Sequence, residues 1–134
     1  MEKTIHVISH SHWDREWYLP YEAHHMLLVD LLDDVLDLFQ TDPNFKYFHL
    51  DGQTILLDDY LEVRPERRQE LQKAIDRKQL IIGPFYILQD AFLISSESNV
   101  RNALIGHQET QKWGGNSAKI GYFPDTFGVL GQTP

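Results

Sequence analysis

Apolar residues recur every three or four positions between Met26 and Phe39, and aspartates occupy the intervening positions. This spacing predicts an amphipathic helix with one buried face and one solvated face. Similar patterns predict helices over Thr54–Glu62 and Pro65–Lys78, the second with a proline at its first turn, where proline is well tolerated. A fourth helix is predicted from about Glu97 to Trp113, with Ser96 as its N-cap.

Short apolar segments separate these helices and predict strands at Ile5–Ser9, Lys46–Leu50, Gln79–Ile82 and Lys119–Phe123. The order of elements is then β-α-β-α-α-β-α-β. Such an alternation predicts an α/β protein with parallel β/α layers and right-handed crossovers.

Each predicted strand runs into polar or glycine-rich sequence. In parallel sheets and barrels, the active site lies at the carboxyl ends of the strands. We therefore expect one edge of the sheet to carry the chemistry. The four segments that follow the strands are His10-Ser11-His12-Trp13-Asp14, Asp51-Gly52-Gln53, Gly83-Pro84-Phe85-Tyr86 and Pro124-Asp125-Thr126-Phe127-Gly128.

Composition narrows the classes of protein. The 134 residues fit one domain, and a formal net charge of -8 argues against a nucleic-acid partner. Cysteine is absent, which excludes disulfides and thiolate chemistry. The N-terminus lacks the apolar core of a signal peptide, and no apolar run is long enough to span a bilayer. We expect a cytoplasmic protein with no membrane partner.

The predicted strand count does not close a barrel, and the sequence stops at Pro134, soon after the loop that follows the fourth strand. A last strand with an unpaired edge is an unfavourable end for a domain. We therefore expect residues 1–134 to be the N-terminal part of a longer catalytic domain.

The segment after the first strand predicts a metal site. Side chains on a strand alternate between faces, so His10, His12 and Asp14 point the same way. Imidazole nitrogen and carboxylate oxygen both suit zinc. His12 and Asp14 are the stronger candidates as ligands. His10 either binds the metal or donates a hydrogen bond to one of the residues that bind it. His6 has the same parity but lies deeper in the strand, and is interpreted as a core residue.

Asp125 leaves the fourth predicted strand into a tight loop. Alone, it is equally a helix cap or turn former, a third metal ligand, or a nucleophile. Its place at the same sheet edge as His12 and Asp14 favours a functional role. Asp51 and Asp90 also follow strands and could contact a hydroxylated substrate, although turn formation is the preferred interpretation for Asp51. The remaining histidines are interpreted as surface or packing residues: His24, His25, His49 and His107.

Five segments of the chain resemble, in order, the bacterial α-mannosidases of glycoside hydrolase family 38. The similarity is strongest to a cytoplasmic branch that also contains mannosylglycerate hydrolases. It implies that the chain supplies the first strands of a seven-stranded β/α barrel of the glycoside hydrolase/deacetylase-like kind. The matching segments are residues 10–17, 51–53, 82–86, 96–102 and 121–128.

The resemblance also implies roles for individual residues. His12, Asp14 and Asp125 would bind one zinc ion per active site, and Asp125 would also be the nucleophile of a retaining hydrolase acting on a mannoside or oligosaccharide. Trp17 and Phe127 would surround the mannose ring, and His10 would support the ligands. The general acid and a fourth ligand, a histidine, lie beyond Pro134 in family members, so we expect the 134-residue segment to be inactive alone. The sequence leaves open whether the full-length protein is a homo-oligomer.

Two other classes of function fit parts of the pattern. An amidohydrolase or phosphoesterase also gathers histidines after its first strand, but usually needs more metal-binding histidines after later strands. A sugar-binding module with an inert metal site is the non-enzymatic alternative.

Overall fold

A computed structural model describes residues 2–117 and 119–133, in which four α-helices alternate with two short parallel strands. The elements in chain order are α1 (Tyr21–Thr41), β1 (Phe48–His49), α2 (Ile55–Val63), a 3-10 turn (Pro65–Arg67), α3 (Arg68–Asp76), β2 (Leu80–Ile81) and α4 (Ser96–Lys112). The α/β class and the parallel direction predicted from the sequence are confirmed.

Helix α1 is longer than its periodic core suggests. It begins after Pro20, whose fixed backbone suits a helix start, and ends at Asp42, which is extended and precedes a second proline. Its buried face carries Leu28, Leu32, Val35 and Leu36 of the predicted apolar row, together with Val29. Leu27, which was also predicted to be buried, is exposed. Burial of the apolar face stabilises the packing of the helix, because each large aliphatic side chain that is buried contributes about 1.5–3 kcal/mol to the free energy of folding.

The two strands pair in parallel, with Phe48 opposite Leu80 and His49 opposite Ile81. A third segment joins β1 on its other side: the His49 N–H donates to the Ser9 carbonyl at 2.9 Å, and a single parallel bridge links His10 to His49. The chain therefore reaches the polar segment that starts at His10 directly from the sheet.

Two predicted strands are wrong in this structure. Ile5–Ser9 forms no ladder beyond the bridge at His10, and residues 119–123 form no strand. The local sequence favours an extended backbone in these segments, but a strand also needs a neighbouring strand to accept its hydrogen bonds. Ile5 and Val7 are exposed, and so is His6, which corrects its interpretation as a core residue.

The core lies between α1, α2, α3 and the strands. Leu56, Leu57 and Tyr60 of α2 are fully buried, and the Tyr60 hydroxyl donates to Asp33 on α1 at 2.6 Å. Arg67 donates to the same carboxylate at 2.8 Å. These hydrogen bonds therefore connect the polar face of α1 to α2 and to the 3-10 turn.

Helix α4 is capped one residue earlier than predicted: the Ser95 side chain, not that of Ser96, accepts the Ser98 N–H at 3.1 Å. The helix contacts the loop after β2, where Asn102 donates to the Ile87 carbonyl and accepts the Ile87 N–H. Among the described residues, no helix is both long and apolar enough to cross a membrane.

Candidate functional site

The site is built where three loops meet at the carboxyl end of β1. The first loop carries His12, Trp13 and Asp14, the second carries Asp51, and the third carries Tyr122 and Asp125. Asp51 follows β1 after a single residue, and residues 10–14 follow the bridge to the same strand. The structure thus brings together segments separated by more than one hundred residues of sequence.

His12 stands at the centre, with carboxylates on both sides of its ring. Its Nε2 lies 3.3 Å from Asp125 Oδ2 and 3.7 Å from Asp14 Oδ2. Its Nδ1 lies 3.4 Å from Asp51 Oδ2. The side chains of Asp14 and Asp125 are 47% and 61% exposed, whereas that of Asp51 is 0% exposed. The Nε2 atom of the ring therefore lies near two solvent-accessible carboxylates, and the Nδ1 atom lies near a buried one.

The donors on the exposed side suit zinc in chemistry. Ligand atoms about 2.1 Å from a tetrahedral zinc lie roughly 3.4 Å from each other. The distances from His12 Nε2 to Asp125 and Asp14 are close to that value. In the described ranges, however, no group of three or more His, Cys, Asp or Glu side chains is already placed to hold an ion. The pairs His12–Asp125 and His12–Asp14 have spacings that fit a shared metal ion. For all three side chains to bind the same ion, they would have to move closer together.

Asp51 makes more side-chain contacts in the site than the turn-forming role preferred from the sequence would need. Its Oδ2 accepts the Trp13 backbone N–H at 2.5 Å and the Gln53 side-chain amide at 3.1 Å, and its Oδ1 accepts the Tyr122 hydroxyl at 3.3 Å. Asp51 does form a turn, with φ of 46° before a glycine at 67°. The turn accounts for its backbone, whereas its side chain links all three loops. The only sequence signal was its position after a strand.

The surroundings of Asp51 are electrostatically distinctive. Burial, followed by the charge and hydrogen bond of Asp51, raises the pKa of Tyr122 above its usual value. Burial lowers the pKa of His49, whose ring lies edge-on to Tyr122 with centroids 4.7 Å apart. Near neutral pH both groups are therefore held uncharged beside the Asp51 carboxylate.

Arg15, a residue that sequence reasoning did not single out, anchors the first loop. Its guanidinium donates to both carboxylate oxygens of Asp59 on α2 at 2.8 Å, and it lies over the Tyr21 ring, 5.0 Å from the centroid. The hydrogen bond to Asp59 is the largest cause that raises the pKa of Arg15. Bidentate pairs fix geometry as well as charge. The loop carrying Asp14 is thereby fastened to a helix immediately after the site.

The other residues considered from the sequence differ in their surroundings. Trp17 and Phe127 are 65% and 78% exposed, so neither is packed into the fold. The His10 ring contacts the Ser11 carbonyl at 2.8 Å. Asp90 accepts the Phe92 N–H within its own turn. His25 is buried and bonds to the Asp59 carbonyl through Nε2, which agrees with its interpretation as a packing residue.

Solved structures share this arrangement of elements. An alpha-mannosidase from Enterococcus faecalis V583 is 69% identical, with a TM-score of 0.91 over 94% of this chain and 14% of that chain. A second Enterococcus faecalis structure, of a protein in the glycosyl hydrolase family 38, is 66% identical, with a TM-score of 0.81 over 89% of this chain and 14% of that chain.

Sequence comparison gives the same result. A provisionally named mannosylglycerate hydrolase from Halalkalibacterium halodurans is 60% identical over 134 residues, which are 100% of this chain and 15% of that protein. The chain thus spans only 14–15% of the length of these relatives. Residues 2–134 match the N-terminal domain of the glycosyl hydrolases family 38. The chain therefore belongs to glycosyl hydrolase family 38.

Proposed function

We propose that the whole protein is a zinc-dependent, retaining hydrolase of terminal α-mannosides, with Asp125 as the nucleophile. The observation that carries the proposal is the position of the Asp125 carboxylate, 3.3 Å from His12 Nε2 and open to solvent at the carboxyl end of the sheet. We also propose that the parallel strands are among the first strands of a β/α barrel, because the family relationship and the parallel pairing both favour that architecture.

His12, Asp14 and Asp125 would hold the zinc, which would supply a Lewis acid for hydroxyl groups of the sugar. An oxygen of Asp125 attacks the anomeric carbon as the bond from that carbon to the leaving oxygen breaks, and a carboxylic acid elsewhere in the whole protein protonates the leaving oxygen. Water then attacks the same carbon, gives its proton to the acid that has become a base, and releases Asp125. The 61% exposure of the Asp125 side chain leaves its carboxylate accessible to a sugar.

Two substrate classes have separate support. The Enterococcus faecalis structure named an alpha-mannosidase favours simple α-mannosides or oligosaccharides, and the Halalkalibacterium halodurans relative favours mannosylglycerate. Comparing kcat/KM for nitrophenyl α-mannoside, an α-linked mannose disaccharide and mannosylglycerate separates them. A preference for mannosylglycerate over the disaccharide would assign the second class.

The nucleophile is tested by Asp125→Asn in the whole protein. The amide keeps the size of the side chain but cannot form the glycosyl-enzyme, so kcat for nitrophenyl α-mannoside should fall on the order of 10³-fold or more. Zinc content is measured on the same samples, because an amide oxygen is a weaker ligand. Asp42→Asn is the matched control, since Asp42 lies at the end of α1 and its carboxylate accepts the Asn44 N–H within its own turn. Unchanged turnover in Asp125→Asn would remove Asp125 from the mechanism.

A further inference from the structure

Asp51 is a carboxylate whose side chain is 0% exposed. Burying a carboxylate is costly unless its oxygens accept hydrogen bonds. Here the donors come from three loops: the Trp13 N–H, the Gln53 amide and the Tyr122 hydroxyl. A turn alone does not need the two long-range donors, Trp13 and Tyr122, so the pattern requires an explanation beyond backbone conformation.

The fourth contact of Asp51 is with His12, whose Nδ1 lies 3.4 Å from Oδ2. A neutral imidazole has one protonated nitrogen and one with a free lone pair. If Nδ1 carries the proton, it faces the Asp51 carboxylate, and the lone pair is on Nε2. That nitrogen is the one directed at Asp125 and Asp14. Carboxylates hold metal-binding histidines in this way, by fixing the tautomer and the ring orientation.

We propose that Asp51 is the positioning residue for His12, holding its ring with Nε2 free to bind the zinc of the proposed site. This inference rests on the proposed function. The same carboxylate also holds Tyr122, three residues before Asp125, and the backbone of Trp13, between His12 and Asp14. One buried charge therefore sets the relative positions of all the candidate ligands.

Asp51→Asn in the whole protein separates this role from turn formation. Asp51 has a left-handed backbone with φ of 46°, a conformation that asparagine adopts readily. The turn is therefore kept, while the charge and one acceptor oxygen are lost. The zinc dissociation constant, measured by competition with a chromophoric chelator, is expected to rise about 10- to 100-fold.

Asp33→Asn is the matched control, since Asp33 also accepts from a tyrosine hydroxyl and from arginines but binds α1 to its neighbouring helices. It should weaken the fold and leave zinc affinity within about twofold of the wild type. Circular dichroism shows whether each variant is folded. If Asp51→Asn does not fold, the ring ¹⁵N shifts of His12 in the wild type decide the question, with protonation at Nδ1 expected.

A double-mutant cycle shows whether Asp51 acts through His12. In a His12→Gln background, Asp51→Asn should cause a clearly smaller loss of zinc affinity than in the wild type, because only its contacts with Trp13 and Tyr122 remain. An equal loss with and without His12, unchanged affinity in the folded single variant, or a proton on Nε2 would each overturn the inference while the proposed function stands. A wild-type protein that binds no zinc would instead contradict the proposed function, and the inference with it.

Discussion

His12 has a carboxylate on each side of its ring, and the two sides differ in their access to water. The Asp51 side chain is buried among hydrogen-bond donors, whereas the Asp125 side chain is 61% exposed. A buried carboxylate is suited to orienting a neighbour, and an exposed one to meeting a metal or a substrate. The same residue type is thus suited to two different roles according to its surroundings.

At the residue scale, the sequence was sufficient for some candidates and insufficient for others. His12, Asp14 and Asp125 stand out because they follow apolar segments that the sequence predicts to be strands of one parallel sheet, whose carboxyl ends would meet. Asp51 and Arg15 do not, because their roles depend on partners far along the chain, such as Tyr122 and Asp59. No local pattern around Asp51 distinguishes a turn former from a buried acceptor.

The Asp33 carboxylate should make stability depend on acid pH. Burial alone would raise its pKa, but hydrogen bonds from Tyr60 and Arg67, together with the charge of Arg64, outweigh burial and hold the pKa below its usual value. A carboxyl group with a depressed pKa in the folded state stabilises that state while ionised. This contribution is present near neutrality and is lost as the pH falls through that depressed pKa.

Asp33→Asn should therefore lower the free energy of unfolding at pH 7 by about 1–2 kcal/mol, because charge-assisted hydrogen bonds are lost. The difference from the wild type should shrink below about pH 4, where an ordinary aspartate becomes protonated. Urea unfolding at pH 7 and pH 3 measures both quantities. A difference that stays constant between the two pH values would show that ionisation of Asp33 does not contribute.

At the element scale, helices were predicted more accurately than strands. Predicted helices at Thr54–Glu62 and Glu97–Trp113 match α2 and α4 to within a residue at each end. Their apolar spacing and caps are local properties of the chain. A strand forms only where a neighbouring strand accepts its hydrogen bonds. The observed strands are therefore shorter than the predicted segments Lys46–Leu50 and Gln79–Ile82 and contain only the residues that pair. The predicted strand Lys119–Phe123 has no pairing partner.

The close contact between α4 and the loop after β2 depends on Gly106. A Cβ at this position would collide with backbone atoms of Pro84, Phe85 and Tyr86, which cannot move aside as a flexible side chain can. Gly106→Ala should therefore destabilise the protein by about 1–3 kcal/mol through overpacking. Peptide-resolved hydrogen exchange should show faster exchange in α4 and in residues 84–87.

Gly131→Ala provides the comparison for this substitution, because a Cβ there would meet no atom within 4 Å. Its exchange pattern and midpoint of thermal unfolding should match those of the wild type. If Gly106→Ala were as stable as Gly131→Ala, the packing of α4 against the loop would be looser than the structure shows.

At the scale of the whole molecule, the chain belongs to family 38. It spans 14–15% of the length of its relatives, yet it brings His12, Asp14 and Asp125 together at one edge of the sheet. The overall α/β class could be read from the alternation of elements. The geometry of the site could not, because it depends on contacts among three loops that are distant in sequence.

The central claim, that Asp125 is the nucleophile, is tested most directly by trapping the covalent intermediate. The whole protein is incubated with a fluorinated mannoside that reacts readily but is hydrolysed slowly, and is then digested and mapped by tandem mass spectrometry. The account predicts one added fluoromannosyl group, carried by Asp125. A label on Asp51, Asp90 or another side chain, or complete turnover through an inverting reaction with no covalent adduct, would contradict it.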